Sequence, residues 1–461
     1  RKGRIRLPSG FDRANWGAMS TPNTSLWKGA PGIISPTRVA RRRFLQSVAA
    51  VTVPLIVPGS VLGLNGATSP ANRIRFGVFG VGNRARAILP NFLSFKELLF
   101  VAVSDCRADR LESGKKLIDD HYGNSACSAY ADFREMLARK DIDAVLIATG
   151  NRWHGLGSIY AARAGKDIYC EKPVTLTIGE GRKLVETCRQ FGTVYQAGTQ
   201  RRCTASYRFA RDMVRQGRIG RVHTVEMQVW AGKGLEHEAE VPPPAGWNYD
   251  FWLGQAPWHP YVPVRAKNWQ YFWDTAEGIL SDMGCHYTDQ MQWVLGTDDT
   301  GPVEFEAKGE FPDPVKFCND TPLTAEARCK YASGVTAVMY QRGEFKERYL
   351  RFIGDEGWIQ VDDETDAVTA EPKSILSFRG TGGAGWGDAS DHVRDLVRCI
   401  RSRKQPACHP EVAHRAMTIC QAWNISLRLG RKLKWDPVQE RFDVPEANRM
   451  LYREPRAPWR A

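Results

Sequence analysis

The sequence predicts an α/β protein in two main parts: a doubly wound parallel sheet, then an α+β domain whose sheet is largely antiparallel and open. Three observations point there. From about residue 74 to 197, short apolar runs alternate with helix-like stretches. A glycine-rich turn joins the first run to the first helix. From residue 222 apolar residues alternate singly with polar ones, as in half-buried strands. With 461 residues, the chain has room for two or three domains. Its composition, 43% hydrophobic and 25% charged, is that of a globular protein rather than a disordered or multi-span membrane chain.

The amino-terminal extension, residues 1–70, is set apart by charge. The net charge is +13, but residues 1–45 hold ten cations and one acid, leaving only +4 for the remainder. A nearly balanced body without finger, zipper or RNP spacing argues against nucleic acid as a partner. Arg41-Arg42-Arg43-Phe44-Leu45 followed by an apolar run to Val57 resembles a twin-arginine (Tat) export signal, so a periplasmic or otherwise exported protein is expected. Pro54 and Pro58 interrupt that run, and no stable membrane span is expected in the mature protein. The extension is expected to lie outside the fold. The eleven cysteines, with no C-x-x-C pair, read as buried small hydrophobes.

The next segment, 71–197, reads as a Rossmann-type domain. Ile74–Phe79 is a strand, and Gly80-Val81-Gly82-Asn83-Arg84-Ala85 fits G-x-G-x-x-G/A at the start of a helix. Gly80 permits the turn, Gly82 lets backbone approach a pyrophosphate, and the helix amino end supplies free N–H groups. A second strand ends at Ser104-Asp105, and Asp105 is placed to hydrogen-bond adenosine ribose hydroxyls. NAD is therefore the expected cofactor; Arg107, two residues on, leaves NADP open. Later strands end at Thr149 and Glu171, where ligands bind in such sheets. Thr149, His154 and Glu171 thus join Gly80, Gly82, Asn83, Arg84 and Asp105 as candidate cofactor contacts.

Glu171-Lys172-Pro173 follows a strand, and Asp282-Met283-Gly284-Cys285-His286-Tyr287-Thr288-Asp289 comes about a hundred residues later. With the glycine loop, these motifs make residues 72–440 resemble the glucose–fructose oxidoreductase / inositol dehydrogenase / rhizopine-catabolism (Gfo/Idh/MocA) family. The chain departs from the exported members at Gly150-Asn151-Arg152, where a Pro-Asp-His-like stretch is usual. The resemblance implies that Lys172 polarises a reacting hydroxyl, that His286 is general acid/base and that Asp282 orients Lys172 or the substrate. The chemistry suits the residues: histidine accepts a proton near neutral pH, and lysine stabilises a developing alkoxide. The activity implied is hydride transfer between nicotinamide and a hydroxyl of a sugar, sugar derivative or cyclic polyol, with the cofactor retained and recycled. The alternative is a redox-neutral glycosidase working by transient oxidation and elimination. No metal is expected.

Residues 198–440 form the expected substrate and oligomerisation domain, with helices at 391–430 packing back on the first domain, and 441–461 a carboxy-terminal tail. By resemblance, the open sheet pairs subunits into a dimer or tetramer. Six of the 15 tryptophans fall within 247–293, and flat aromatic faces suit sugar rings. Trp269 and Trp273, with Arg201, Arg202 and Tyr287, are the candidate substrate contacts. The glycine stretch 380–387 reads as a rim loop.

Overall fold

The computed structural model describes residues 72–378 and 389–460. The extension 1–70 and the glycine stretch 380–387 lie outside the described residues. The first sheet contains β1 (Ile74–Phe79), β2 (Leu98–Ser104), β3 (Ser128–Tyr130), β4 (Ala144–Ile147), β5 (Asp167–Cys170) and β6 (Tyr195–Ala197). All pairs are parallel and the order is β3-β2-β1-β4-β5-β6. The strand order reverses between β1 and β4, which opens a crevice at their carboxyl ends. Every residue of β4 and β5 is buried, as helices on both faces require.

Local sequence fixes the connecting helices. Thr177 Oγ1 accepts from Glu180 N–H (3.1 Å) at the start of helix Ile178–Phe191, and Glu180 Oε2 accepts from Leu176 N–H (2.7 Å). This is a capping box reaching one residue further back, worth about 1 kcal/mol. The same helix closes on Gly192 at φ +64°, a left-handed cap.

The second sheet has nine strands: β7 (Val222–Val229), β8 (Glu304–Glu310), β9 (Thr324–Lys330), β10 (Thr336–Gln341), β11 (Tyr349–Gly354), β12 (Gly357–Asp362), β13 (Val368–Glu371), β14 (Leu433–Asp436) and β15 (Arg441–Phe442). Their order is β13-β12-β11-β7-β10-β9-β8-β14-β15. Its pairs are antiparallel except β7 with β10, whose parallel pairing needs the long excursion through residues 230–335. Alternation is clean in β9: Ala325, Ala327 and Cys329 are buried, whereas Glu326, Arg328 and Lys330 are exposed. Helix Pro410–Leu429, with Trp423 fully buried, packs against β8, β9 and helix Ile178–Phe191, joining the two sheets through one core.

The carboxy-terminal tail is folded. Trp459 is buried against Trp153 (4.8 Å between rings) and Phe251 (5.0 Å), and Arg456 donates to the carbonyls of Gly254 and Ala256. All eleven cysteines are free and nine are buried; burial pushes the Cys170 thiol up to about 12, so these thiols stay protonated and inert. Among the described residues no helix is long and apolar enough to cross a membrane.

Candidate active site

The crevice at the switch point is a cleft of about 590 Å³. Gly80, Gly82, Asn83, Arg84, Asp105 and Thr149 all line it. Gly80 adopts φ +86°, and a Cβ there would lie 3.0 Å from Thr149 backbone atoms. Only glycine lets β1 and β4 approach this closely in that conformation. Gly82 caps helix Asn83–Leu93, whose first N–H groups lack partners within the helix and so form an anion site. Asp105 braces this loop: Oδ2 accepts from Val81 N–H (2.8 Å) and Oδ1 from Arg107 N–H (3.0 Å). Burial nonetheless pushes its carboxyl above the ordinary value.

Arg84 carries the glycine loop across to β5. Its guanidinium pairs with Glu171 Oε1 (2.9 Å), and Glu171 is only 2% exposed. Gln200 Nε2 donates to the same oxygen at 3.0 Å. Glu171 thus acts by fixing Arg84 rather than by standing free in the cleft. His154 is placed differently from expectation. It is buried, with Nδ1 2.7 Å from the Pro173 carbonyl and Nε2 3.1 Å from the Thr149 carbonyl. It therefore sits buried between the ends of β4 and β5, with one ring N–H donating to a carbonyl, instead of lining the cleft. Burial holds its pKa below the usual imidazole value.

Lys172 and Asp282 are brought together across 110 residues. Lys172 Nζ donates to the Asp282 carbonyl (2.9 Å) and lies 3.5 Å from Asp282 Oδ2. Asp282 and His286, four residues apart in sequence, do not share one helix: Ile279–Asp282 and Gly284–Leu295 are separate and joined at Met283. Across the break His286 N–H bonds the Met283 carbonyl (3.1 Å), one residue nearer than a regular α-helix would use. The Asp282 carbonyl is thereby left for the lysine. Asn151 Nδ2 lies 3.5 Å from Asp282 Oδ1, at the limit of hydrogen bonding.

His286 is 5% exposed and its Nδ1 is buried without a hydrogen-bond partner. Burial, then the positive charges of Arg201, Lys172, Arg84 and Arg348, hold its pKa well below the usual value. The ring is neutral at physiological pH and able to accept a proton. Arg201 is 18% exposed and paired bidentately with Asp363, with Nη2–Oδ2 at 2.6 Å. Tyr287 is fully buried, its ring 5.9 Å from the Arg201 guanidinium carbon.

Two further expectations need correction. Arg202 does not face a substrate: it is 3% exposed and locked to Asp289 (2.8 Å) and Asp298 (2.7 Å). This also removes Asp289 from the neighbourhood of free ligands, and no metal-binding cluster occurs among the described residues. Trp273 lies in a separate groove, sandwiched between Arg428 (4.0 Å) and Arg453 (3.9 Å). Trp269 does line the cleft, beside Trp247 and Trp252. Arg110, Arg152 and these two tryptophans were not singled out in the sequence as contacts. Their signal was there in part: the cation run after Asp105 and the tryptophan-rich stretch. Arg348 and Asp363 had none, since a strand end carries no motif.

A nucleotide-binding sheet of order 3-2-1-4-5-6, a glycine loop at its switch point and a lysine within electrostatic reach of a buried histidine together point to a nicotinamide-dependent oxidoreductase. Residues 74–199 match the NAD-binding Rossmann fold of the Gfo/Idh/MocA oxidoreductases, and residues 219–461 match their C-terminal alpha/beta domain. The chain belongs to that oxidoreductase family, and its cofactor is a nicotinamide dinucleotide. It is 27% identical to a myo-inositol 2-dehydrogenase from Thermotoga maritima over 377 residues, 79% of this chain and 99% of that one. A glycosyl hydrolase family 109 protein from Saccharopolyspora erythraea is 31% identical, but over only 32% of this chain and 36% of that one. Among solved structures, the fold is shared with the aldose-aldose oxidoreductase of Caulobacter crescentus, solved with glycerol (TM-score 0.61, 21% identity, covering 78% of this chain and 99% of that one). It is shared also with the WlbA dehydrogenase of Bordetella pertussis, solved with NADH and UDP-GlcNAcA (TM-score 0.60, 18% identity, 79% and 99%).

Proposed function

We propose that the protein transfers hydride between a secondary hydroxyl of a sugar, sugar derivative or cyclic polyol and the nicotinamide. The observation that carries this is Lys172, held by the Asp282 carbonyl, in electrostatic reach of a buried, neutral and unpartnered His286. The residues fit the cofactor: the cleft wall offers a phosphate loop that tolerates no Cβ at Gly80, and buried donors without partners at Arg152 Nη1 and Trp247 Nε1. Bound nicotinamide supplies the hydride acceptor for oxidation and the donor for reduction. Lys172 donates a hydrogen bond to the reacting oxygen and stabilises its negative charge as the proton leaves. His286 receives that proton on its ring and returns it in the reverse direction. Asp282 and Asn151 position Lys172. The named activities of the inositol dehydrogenase and the aldose-aldose oxidoreductase support a polyol or sugar substrate.

Export by the Tat route and a periplasmic location belong to the same reading, on the strength of Arg41-Arg42-Arg43. An exported enzyme has no free nicotinamide pool, so the cofactor stays bound and is recycled. Subunits pair through the open face of the second sheet, where Tyr340, Tyr349 and Trp358 are half-buried beneath Arg342 and Arg351. Mass spectrometry of products from a panel of sugars, polyols and aryl glycosides tests the reaction. A product two hydrogens lighter, with reduced nicotinamide formed in step, is the expected result. Glycoside cleavage without net reduction, abolished on stripping the cofactor, would overturn it in favour of the redox-neutral glycosidase.

A further inference from the structure

The second wall of the cofactor cleft does not come from the Rossmann domain. It is built by residues 246–270 of the excursion between β7 and β10. This segment is laid onto the residues that follow Asp105. Ala108 N–H donates to the Gly246 carbonyl (2.8 Å) and Asn248 N–H to the Cys106 carbonyl (2.9 Å). Arg107 and Trp247 thus form an antiparallel bridge. In a sheet of this order, the residues after β2 border the adenosine half of a dinucleotide. The strap therefore covers that half.

Two side chains at this wall present donors with nothing to bond. Trp247 lines the cleft, and its Nε1 is buried and unpartnered. Arg152 is 2% exposed, and its guanidinium stacks 3.8 Å from the Trp252 ring centre. Its Nε donates to the Trp252 carbonyl, yet among the described residues Nη1 is buried with no partner and no carboxylate is paired with it. Buried donors are rarely left unpaired in a native protein unless a ligand or water completes them. Gly246 adopts φ +78°, so the strap turns sharply just before Trp247. The end of the strap helix Tyr249–Leu253 is pinned by Arg456 from the carboxy-terminal tail.

We propose that residues 246–270 are a cofactor strap, and that Trp247 and Arg152 are specificity-determining residues that donate hydrogen bonds to the adenosine half of the dinucleotide. This rests on the reading of the cleft as a nicotinamide-dinucleotide site. Trp247 Nε1 and Arg152 Nη1 read acceptors on the base or ribose, and the strap must lift from Cys106–Ala108 before the nucleotide leaves. A strap of this kind gives a physical basis for a retained cofactor, because release requires breaking backbone bonds as well as ligand contacts.

The test uses the full chain stripped of nucleotide, with calorimetric titration of AMP, ADP-ribose, nicotinamide mononucleotide and NAD⁺. Trp247→Ala should weaken AMP and ADP-ribose about tenfold while nicotinamide mononucleotide binds as before, the size expected for one aromatic contact and one hydrogen bond. Trp247→Phe keeps the ring and removes only the donor, so a loss of about threefold is expected. Stopped-flow release of NADH should be faster in both variants. Val438→Ala alters an exposed residue outside the strap and should change none of these affinities. AMP affinities equal to wild type in both Trp247 variants would overturn the strap, provided NAD⁺ binds the wild-type chain. A wild-type chain that binds no nicotinamide dinucleotide would overturn the underlying reading instead.

Discussion

Two charged regions made of the same materials border helix Gly284–Leu295. In one, Arg201, Arg348, Lys172 and Arg84 act on His286, whose Nδ1 has no partner. In the other, Arg202 is closed on Asp289 and Asp298 with two short contacts to each. Arg201 and Arg202 are neighbours in sequence, yet one borders the unpartnered imidazole and the other belongs to a sealed ion cluster. The difference teaches that charge in a buried place is not itself a sign of chemistry. An unsatisfied group among satisfied ones is the better sign, because leaving it unpaired costs stability that only a ligand recovers.

The comparison breaks most sharply at Lys172 and His286. Lys172→Met or His286→Ala should lower kcat about a thousandfold, the size of losing a charge stabiliser or a general base. Nucleotide affinity, read by calorimetry, should hold, since neither side chain lines the adenosine cleft. Retained turnover in both variants would remove the catalytic meaning of the His286 surroundings. Arg202→Ala should do the reverse. It leaves Asp289 fully buried and unpaired, at a cost of about 3–5 kcal/mol in urea unfolding, while turnover per folded molecule stays near wild type. Arg202→Met combined with Asp289→Leu should recover most of that loss. A smaller effect, about 2–3 kcal/mol with weakened nucleotide binding, is expected for Gly80→Ala, where positive φ and the Thr149 backbone both resist a Cβ.

Much of the first domain was legible because its elements are specified locally. A strand, a glycine turn and a helix in immediate succession leave one arrangement for Gly80, Gly82 and Asp105, and they line one cleft. The Lys172–Asp282 contact was legible as a pairing but not in its form. The lysine takes the backbone carbonyl exposed by the break at Met283, and an i, i+4 pattern cannot show such a break. The sorting of Arg201 from Arg202 depends on Asp363, Asp289 and Asp298, which lie 87 to 162 residues away. The tryptophan cluster misled for the same reason. Trp269, Trp247 and Trp252 reach the cleft, but Arg428 and Arg453 claim Trp273 for another groove.

Two buried histidines carry the comparison into pH. His286 and His392 are both held below the usual imidazole pKa by burial, His392 to about 4. In His392, however, Nε2 bonds the Ala197 carbonyl (2.9 Å) and Nδ1 faces Cys203 Sγ (3.7 Å), beside the sealed Arg202 cluster. An unfolded histidine takes up its proton near pH 6.5, whereas the folded rings do not. The unfolded chain therefore binds more protons below that pH, and stability falls as pH drops from 6.5 toward the folded value. For His392 the loss between pH 7 and 5 should be about 2 kcal/mol, and His392→Gln should flatten that part of the unfolding profile. Turnover should not follow the same curve. In the proposed reaction the neutral form of His286 is the proton acceptor, so the acid limb of kcat/KM for oxidation should lie well below pH 6.5 and be unmoved by His392→Gln. An acid limb at 6.5, or one that shifts with His392, would place the titrating base elsewhere and dissolve the distinction between the two regions.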